Sequence, residues 1–299
     1  RLDGRHYGEL YDYWGGQGDL KNGLVRVLHS LSFVDDPTRL LRAVRFEQRF
    51  DFQIESRTLQ LMKEARPLLK QVTGIRIRHE LDQMIVEKSA LNMFARLHEL
   101  DLLAAIHPSL TWSPDIEEAL VTLLTVKLDS KWDLPSVIGR EPIKVVLFYL
   151  VWFSFLERDP SLQIAERLRM AKTLINAIIE LHEALAIIPM LKGMKPSEIS
   201  QKLASFSSSV LCAINLRPLS NLEHDLIENL VFKWRRIEPT VDGRILRKLG
   251  IEPGPVYRQI LDALKAGWID GKINNHAEEE KILADLVKEH NLTNIPKSS

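Results

Sequence analysis

From residue 35 onwards, apolar side chains recur at intervals of three and four residues, the spacing of amphipathic helices. One such face carries Leu59, Met62 and Leu69 and is predicted to begin at Ser56 as N-cap. A longer helix is predicted over residues 162–185. Residues 1–34 instead alternate short apolar runs with a glycine cluster, which indicates strands and turns. The pattern predicts a mainly α protein that begins with a short α/β segment.

Composition limits the possible protein classes. A chain of 299 residues, of which 45% are hydrophobic and 27% charged, is long enough for more than one packed unit. The longest apolar run, residues 145–156, is shorter than the roughly 20 residues that span a bilayer, so we expect a buried core helix there. Cys212 is the only cysteine, which excludes an internal disulfide and favours a reducing cytoplasm.

The charge balance gives no bulk attraction to nucleic acid. Lysine and arginine number 40, and so do aspartate and glutamate. Any basic surface must therefore arise from the arrangement of residues rather than from net charge.

The segment SFVDDPTRLLRAVRFEQRF, residues 32–50, is the most informative. Asp36 is a predicted N-cap, and Pro37 suits the first helical position because it has no N–H to leave unpaired. At about 100° per residue, the charged residues fall on one wall and the apolar ones on the other. The charged wall carries Asp35, Asp36, Arg39, Arg42, Arg45 and Arg49, and the apolar wall carries Leu40, Leu41 and Val44.

Two interpretations of this wall are open. It fits a capped surface helix with solvated Arg–Asp pairs. It also fits a reader of nucleotide bases, because cytosine and adenine each present an amino donor beside a ring-nitrogen acceptor. An aspartate can accept from the amino group while an arginine donates to the ring nitrogen, and uracil and guanine are rejected because they place a carbonyl against the carboxylate.

Residues 35–42, DDPTRLLR, resemble the E-D-x-x-R-x-x-R motif of class II tRNA nucleotidyltransferases and bacterial poly(A) polymerases. In that family the motif is the amino-acid template for incoming CTP and ATP. The resemblance implies that Asp36 and Arg39 pair with the base and that Arg42 contacts the nucleotide. Asp35 stands where glutamate is usual, and we include it in the expected nucleotide site.

Two further segments resemble family motifs in the same order. LYDYWGGQGDL, residues 10–20, is similar to the D-x-x-x-G-x-x-D-L motif that ends the catalytic head, which implies positioning roles between head and neck for Asp12, Gly16 and Asp19. A hairpin-like turn is the alternative. GIRIRHE, residues 74–80, resembles the neck motif, in which side chains here numbered Arg76, Arg78 and Glu80 support the template helix.

Near the end, VDGRIL, residues 241–246, followed by LGIEPGP, residues 249–255, resembles the tail segment that touches tRNA. The resemblance implies tRNA contacts at Gly243 and Arg244. Arg244 replaces the usual lysine and keeps a phosphate-binding cation, whereas Ile245 replaces the usual aspartate. A purely structural corner between two helices is the alternative.

Nucleotidyl transfer needs paired carboxylates for Mg²⁺, and the D-x-D strand of the family is not found in this sequence. The pairs Glu80/Asp82 and Glu99/Asp101 are two residues apart on predicted helices, so we expect them to diverge as surface charges. No histidine spacing indicates a zinc site. We therefore expect no metal to bind this chain, with Mg²⁺ held elsewhere in the parent enzyme.

The chain starts without Met, and residues 1–5 resemble a segment that follows the second motif of the head. We therefore expect a fragment made of a head remnant (1–34), neck (35–108), body (109–215) and tail (216–299), inactive without its catalytic head. The implied parent function is addition of C, A or both to tRNA 3′ ends, with tRNA, CTP and ATP as partners. Poly(A) synthesis, a non-catalytic RNA-binding or scaffold module and a helical adaptor remain alternatives.

Overall fold

The structure, a computed structural model, describes residue 8, residues 10–125 and residues 127–293. Residues 1–5, which carry part of the family resemblance, lie outside the described residues. The described chain is mainly helical, as predicted. It divides into two compact units, the first formed within residues 1–127, 135–182 and 216–218 and the second within residues 128–134, 183–215 and 219–299. The predicted head, neck, body and tail boundaries remain predictions.

Ten helices begin and end in the described part of the first unit. They are α1 (Gly16–Lys21), α2 (Ser32–Asp35), α3 (Arg39–Phe50), α4 (Ser56–Ala65), α5 (Gly74–Ile85), α6 (Ala90–Glu99), α7 (Leu102–Ile106), α8 (Pro114–Thr125), α9 (Ile143–Phe153) and α10 (Arg158–Arg167). A 3-10 turn over Arg66–Gln71 follows α4. Strand β1 (Leu24–Val25) pairs in parallel with β2 (Gln53–Ile54), and β3 (Val137–Ile138) pairs antiparallel with β4 (Glu141–Pro142).

The long helix α11 (Lys172–Ile187) passes from the first set of residues to the second. The second unit contains α12 (Pro196–Leu203), α13 (Ser208–Asn215), α14 (Asn221–Phe232), α15 (Gly243–Lys248), α16 (Pro255–Ile269) and α17 (His276–Thr293), with 3-10 turns at Ser130–Trp132, Ile188–Leu191 and Trp234–Arg236. By length and composition, the stretch Lys172–Leu191 could cross a bilayer. Since 44% of its apolar window is buried inside the protein, it equally fits a core helix.

Aromatic rings fill the core of the first unit. Residues 145–153 of α9 are all buried, which confirms the core helix predicted from the apolar run. Trp152 meets Phe94 edge-on at 5.1 Å between ring centroids, and Phe94 stacks on Trp112 at 5.5 Å. The offset and edge-on arrangements are those that aromatic quadrupoles favour.

Two predicted helix bounds are wrong. The helix expected over residues 162–185 is two helices, because Arg169 between α10 and α11 adopts a left-handed φ of 52°. The N-cap of α4 is Glu55 rather than Ser56, since the Glu55 carboxylate accepts from Thr58 N at 2.7 Å. A glutamate reaches the same backbone donor from one position earlier in the chain.

Helix α5 begins at a point of close backbone approach. A Cβ placed on Gly74 would lie 1.9 Å from the Arg167 carbonyl oxygen at the end of α10. Arg167 Nη2 also donates to Leu69 O at 2.9 Å, just before α5. Only glycine fits position 74, and α5 is thereby seated against α10.

The second unit has an apolar core drawn from α15, α16, α17 and their connections. Its buried members are Val241, Leu246, Ile251, Ile260, Leu264, Ile273 and Leu283. Cys212 on α13 is 1% exposed, and burial raises the pKa of its thiol to about 12. Its thiol is therefore protonated and inert in the folded unit.

Candidate functional site

The turn that leads into α3 is built around the carboxylate of Asp36. Its Oδ1 accepts from Thr38 N at 3.0 Å and from the Thr38 hydroxyl at 2.7 Å, and its carbonyl accepts from Arg39 N at 3.1 Å. Asp36 therefore caps the turn that precedes α3. The prediction that Asp36 is the N-cap residue of the α-helix and Pro37 its first residue is wrong, because α3 begins at Arg39 after Thr38. Pro37 and Thr38 lie in a tighter, 3-10-like turn, in which each backbone N–H donates to the carbonyl three residues earlier.

A cation from the neck motif reaches the same oxygen. Arg76 Nη2, on α5, lies 2.8 Å from Asp36 Oδ1 and 3.5 Å from Thr38 Oγ1. Burial raises the pKa of Asp36, but the hydrogen bonds from Thr38 and the charge of Arg76 outweigh it, so the net pKa lies below its ordinary value. Asp36 is therefore a firmly ionised acceptor at neutral pH.

The other predicted template residue is held separately. Arg39 Nη1 donates to the backbone oxygen of Ser32 at 3.1 Å and to its hydroxyl at 2.9 Å. Asp35 ends α2, where its Oδ2 lies 3.7 Å from His29 Nε2. The carboxylates at 35 and 36 thus have different partners, although they are adjacent in the sequence.

Two cavities flank α3. The first, of about 300 Å³, is lined by Asp36, Thr38, Arg42, Ile75, Arg76, His79 and Glu80. The second, of about 540 Å³, is lined by Val25, Arg26, Val27, Leu28, His29, Ser32, Phe33, Arg39, Arg42, Ala43 and Phe46. Asp36 opens onto the first and Arg39 onto the second, while Arg42 lines both. The charged wall of α3 therefore borders a cavity on each side.

Helix α5 supports α3 through a buried ion pair as well. Glu80 Oε2 lies 3.1 Å from Arg45 Nη1, with about a tenth of each side chain exposed. Arg76 thus contacts the entry turn and Glu80 contacts the helix, while their support role remains a prediction. Arg78 contacts neither, since its Nη1 donates to Arg169 O at 2.7 Å on the far side of α5.

The expectation that Glu80 and Asp82 are surface charges is wrong. Glu80 is buried against Arg45, and Asp82 accepts from the hydroxyl of the fully buried Tyr149 at 2.8 Å. Burial, the largest cause, raises the pKa of Asp82 despite that hydrogen bond and the nearby charge of Arg78. The two carboxylates point to different partners, so they do not form a metal-binding pair.

Sequence reasoning missed the residue that holds the other end of α3. Glu47 is buried and accepts from Arg96 Nε at 2.9 Å, from Arg96 Nη2 at 3.2 Å and from Ile54 N at 3.2 Å. It joins α3 to α6 and to β2. The sequence showed a glutamate next to the predicted apolar face of the helix. It did not show that the partner of this glutamate is Arg96, 49 positions away.

The glycine cluster before α3 begins a helix, so the hairpin-like alternative is wrong. Asp12 caps α1, accepting from Gly16 N at 2.9 Å and from Gln17 N at 2.7 Å. These backbone hydrogen bonds, that from Gln17 foremost, lower the pKa of Asp12. Asp19 Oδ1 lies 2.8 Å from Arg26 Nη2 and thereby orients a cation that lines the second cavity.

The predicted tail contact lies at the start of α15. Asp242 is the N-cap and accepts from the backbone of Arg244 and Ile245, and these bonds together with that from the Arg244 side chain, the largest cause, lower its pKa. Arg244 extends into solvent with 91% of its side chain exposed, and its Nε lies 2.9 Å from Asp242 Oδ2. The corner between two helices that was the alternative here is present between α15 and α16, with Gly250 at a φ of 80°. The tRNA contacts at Gly243 and Arg244 remain a prediction.

Among the described residues, no group of three or more His, Cys, Asp or Glu side chains could hold a metal ion. Glu99 pairs with Arg96, and Asp101 pairs with Arg66. The four carboxylates Glu80, Asp82, Glu99 and Asp101 thus point to separate partners, and neither pair fits the Mg²⁺ that the family resemblance implies.

Comparison with known proteins gives consistent matches. Residues 51–112 match the family described as a probable RNA- and SrmB-binding site of polymerase A. The chain is 30% identical to an A-adding tRNA nucleotidyltransferase of Geobacter sulfurreducens over 296 residues, which cover 96% of this chain and 33% of that protein. It is 26% identical to a CCA-adding enzyme of Limosilactobacillus reuteri, covering 95% of this chain and 68% of that one.

Solved structures share the fold. A CCA-adding enzyme in complex with ATP matches with a TM-score of 0.74 and 29% identity, over 96% of this chain and 68% of that one. The Thermotoga maritima CCA-adding enzyme complexed with tRNA-CCA matches with a TM-score of 0.70 and 29% identity, over 93% of this chain and 67% of that one.

Over nearly its whole length the chain is similar to tRNA nucleotidyltransferases, and it shares the fold of the matching part of CCA-adding enzymes. The similar proteins include ones named as A-adding and CCA-adding enzymes. The chain spans about a third of the length of the Geobacter relative and about two thirds of the Limosilactobacillus relative.

Proposed function

We propose that this chain supplies base selection and tRNA binding to an enzyme that adds C, A or both to the 3′ end of tRNA. In that reaction the tRNA 3′-hydroxyl attacks the α-phosphate of CTP or ATP and pyrophosphate leaves. The observation that carries the proposal is the ionised carboxylate of Asp36, which Thr38 and Arg76 hold at the entry to α3. Arg39 and Arg42 lie in the first turn of that helix. The relatives named for A or CCA addition, and the related structures with ATP, CTP and tRNA, support it.

In this proposal Asp36 accepts a hydrogen bond from the amino group of adenine or cytosine. Arg39, which contacts Ser32 when no nucleotide is bound, leaves those contacts to donate to the ring nitrogen beside that amino group. Arg42 lines both cavities and would meet the nucleotide from either one. Asp35 contributes charge at the entry, while Asp12, Gly16 and Asp19 fix the segment in front of α3. Gly243 and Arg244 would contact tRNA. A cytoplasmic location belongs to the same proposal.

The test compares Asp36→Asn with the unaltered full-length enzyme, measuring kcat/KM for ATP, CTP, UTP and GTP. Asparagine caps a helix nearly as well as aspartate, but it offers an amide where a carboxylate is required. Loss of the acceptor costs roughly 1–3 kcal/mol. We therefore expect about 5- to 150-fold weaker use of the correct nucleotide and weaker rejection of UTP and GTP.

Asp51→Asn is the matched control. Asp51 is exposed and ends α3 at a φ of 54°, a conformation that asparagine also adopts. We expect no change in nucleotide preference there. If Asp36→Asn keeps full preference for A or C over G and U, Asp36 is only a cap and the base-reading proposal fails.

We also propose that the chain alone binds tRNA but does not transfer nucleotides, since the carboxylate pairs Glu80/Asp82 and Glu99/Asp101 point to separate partners. Incubation with tRNA lacking its 3′ end, labelled ATP and CTP, and Mg²⁺ tests this. Clean incorporation above a protein-free blank would contradict it.

Poly(A) synthesis is the second candidate, favoured by the match of residues 51–112 to a polymerase A region. The number of residues added by the full-length enzyme separates the two. Addition of one to three residues indicates tRNA repair, whereas a long adenylate tract on RNA of any sequence indicates a poly(A) polymerase.

A further inference from the structure

Thr38 lies between the two charged groups at the entry to α3. Its hydroxyl is 2.7 Å from Asp36 Oδ1 and 3.5 Å from Arg76 Nη2. The residue is 4% exposed, so water does not compete for the hydroxyl. Because the guanidinium only donates, the hydroxyl hydrogen must point at Asp36, and its direction is thereby fixed.

All hydrogen bonds that the described residues make to the Asp36 carboxylate end on one oxygen. Oδ1 receives the Thr38 amide, the Thr38 hydroxyl and Arg76 Nη2. Three donors occupy the lone pairs of Oδ1 and leave those of Oδ2 for a further donor. The terminal torsion of a carboxylate is otherwise broad and roughly two-fold. Holding one oxygen therefore fixes the plane of the carboxylate and leaves the other oxygen, Oδ2, free to accept.

We propose that Thr38 is a positioning residue for base selection, whose hydroxyl holds Asp36 Oδ1 so that Oδ2 faces the amino group of adenine or cytosine. This inference rests on the proposed function of Asp36. It adds an uncharged residue to the determinants of base selection, which are otherwise the charged residues of the motif.

Removing the hydroxyl of Thr38 should change the orientation of the Asp36 carboxylate without changing the fold. In Thr38→Val the side chain keeps nearly the same shape, and the amide at position 38 still donates to Oδ1. The carboxylate stays near its place but turns more freely, because one of its three restraints is gone. The expected consequence is a loss of discrimination rather than a loss of structure.

The experiment measures kcat/KM for ATP and CTP against GTP and UTP in the full-length enzyme, for Thr38→Val, Thr38→Ser and Asp36→Asn. Thr240→Val is the matched control, since Thr240 Oγ1 donates to Glu279 Oε2 at the same 2.7 Å, in the second unit. Thermal unfolding of each variant is recorded beside the kinetics.

For Thr38→Val we expect the preference for the correct nucleotide over UTP and GTP to fall about 10-fold, the effect of one hydrogen bond to a charged group. Thr38→Ser should restore it, because serine keeps the hydroxyl. Thr240→Val should leave the preference unchanged even where it lowers the unfolding temperature.

Three outcomes would overturn the proposal. The preference could be unchanged in Thr38→Val while Asp36→Asn loses it, which refutes the role of Thr38 and leaves that of Asp36 intact. Thr38→Ser could fail to restore the preference, or Thr240→Val could reduce it equally. If Asp36→Asn itself keeps the preference, the failure lies with the proposed function.

Discussion

Arg96 binds the buried carboxylate of Glu47 through two nitrogens, Nε at 2.9 Å and Nη2 at 3.2 Å. Since Glu47 also accepts from Ile54 N, one carboxylate ties α3 to α6 and to β2. A buried ion pair of this kind adds little compared with apolar packing, but removing one partner leaves an unpaired buried charge.

Arg96→Ala should therefore destabilise the first unit strongly, by about 3 kcal/mol. The measurement is the free energy of unfolding in denaturant. Arg57→Ala on α4 is the control, because Arg57 is exposed and its side chain donates to Gln60, which is an uncharged partner. A loss of stability below about 1 kcal/mol for Arg96→Ala is in the range of a surface ion pair. It would show that the Arg96–Glu47 pair does not hold α3 against α6.

Gly74→Ala should displace α5, because a Cβ at this position would lie 1.9 Å from the Arg167 carbonyl oxygen. We expect a loss of stability of about 2 kcal/mol, in the range for forced overpacking. Arg76 and Glu80 would move with the helix, so base preference should decline too. Gly18→Ala is the control, since nothing described lies within 4 Å of a Cβ there. Equal unfolding midpoints for both variants would contradict the close approach.

Stability should fall as the pH drops below about 6.5, the ordinary pKa of histidine. Burial, followed by the charges of Arg158 and Arg217, lowers the pKa of His182. The unfolded chain then takes up a proton near pH 6.5 that the folded chain does not, so the folded state is favoured above this pH and loses stability below it. Burial lowers the pKa of His107 as well, with the same sign.

His182→Gln should reduce this pH dependence while keeping the buried contact. The Ser161 hydroxyl donates to Glu157 O at 2.8 Å, so His182 Nε2, at 3.0 Å, must be the donor to Ser161 Oγ. A glutamine amide supplies the same donor without titrating. Unfolding free energies between pH 5 and pH 8 measure the effect, and an unchanged slope in the variant would refute the assignment.

Arg244→Ala should weaken tRNA binding without altering which tRNA is preferred. A phosphate contact releases counterions, so the slope of log affinity against log salt should become shallower by about 1. Arg258→Ala is a matched control, because Arg258 is 89% exposed and also lies near an aspartate, Asp262. Equal losses for the two variants would point to general charge rather than to a contact at Arg244.

The sequence predicted the local features well. The buried face of α3 follows from the spacing of its apolar residues, and Leu40, Leu41 and Val44 are fully buried. The burial of α9 follows from its continuous apolar run. That Asp36 accepts from a backbone amide near the start of α3 follows from its side chain and the proline after it, although the α-helix begins two residues later than predicted. These signals depend on neighbours within one or two helical turns, which a single sequence displays.

Features set by distant partners could not be predicted. Glu80 and Asp82 diverge as expected, but their burial depends on Arg45 and Tyr149, which lie 35 and 67 positions away. The break at Arg169 has neither glycine nor proline to announce it. Its carbonyl accepts from Arg78, 91 positions earlier, so the bend is part of a tertiary contact.

The buried thiol of Cys212 can report on local opening of the second unit. Because the sequence contains one cysteine, a thiol reagent has a single point of attack. In the folded second unit that sulfur is covered and protonated. The rate at which it is labelled therefore counts the openings of α13 and its surroundings, without any engineered dye site. Labelling in the presence and absence of tRNA would show whether the ligand slows those openings.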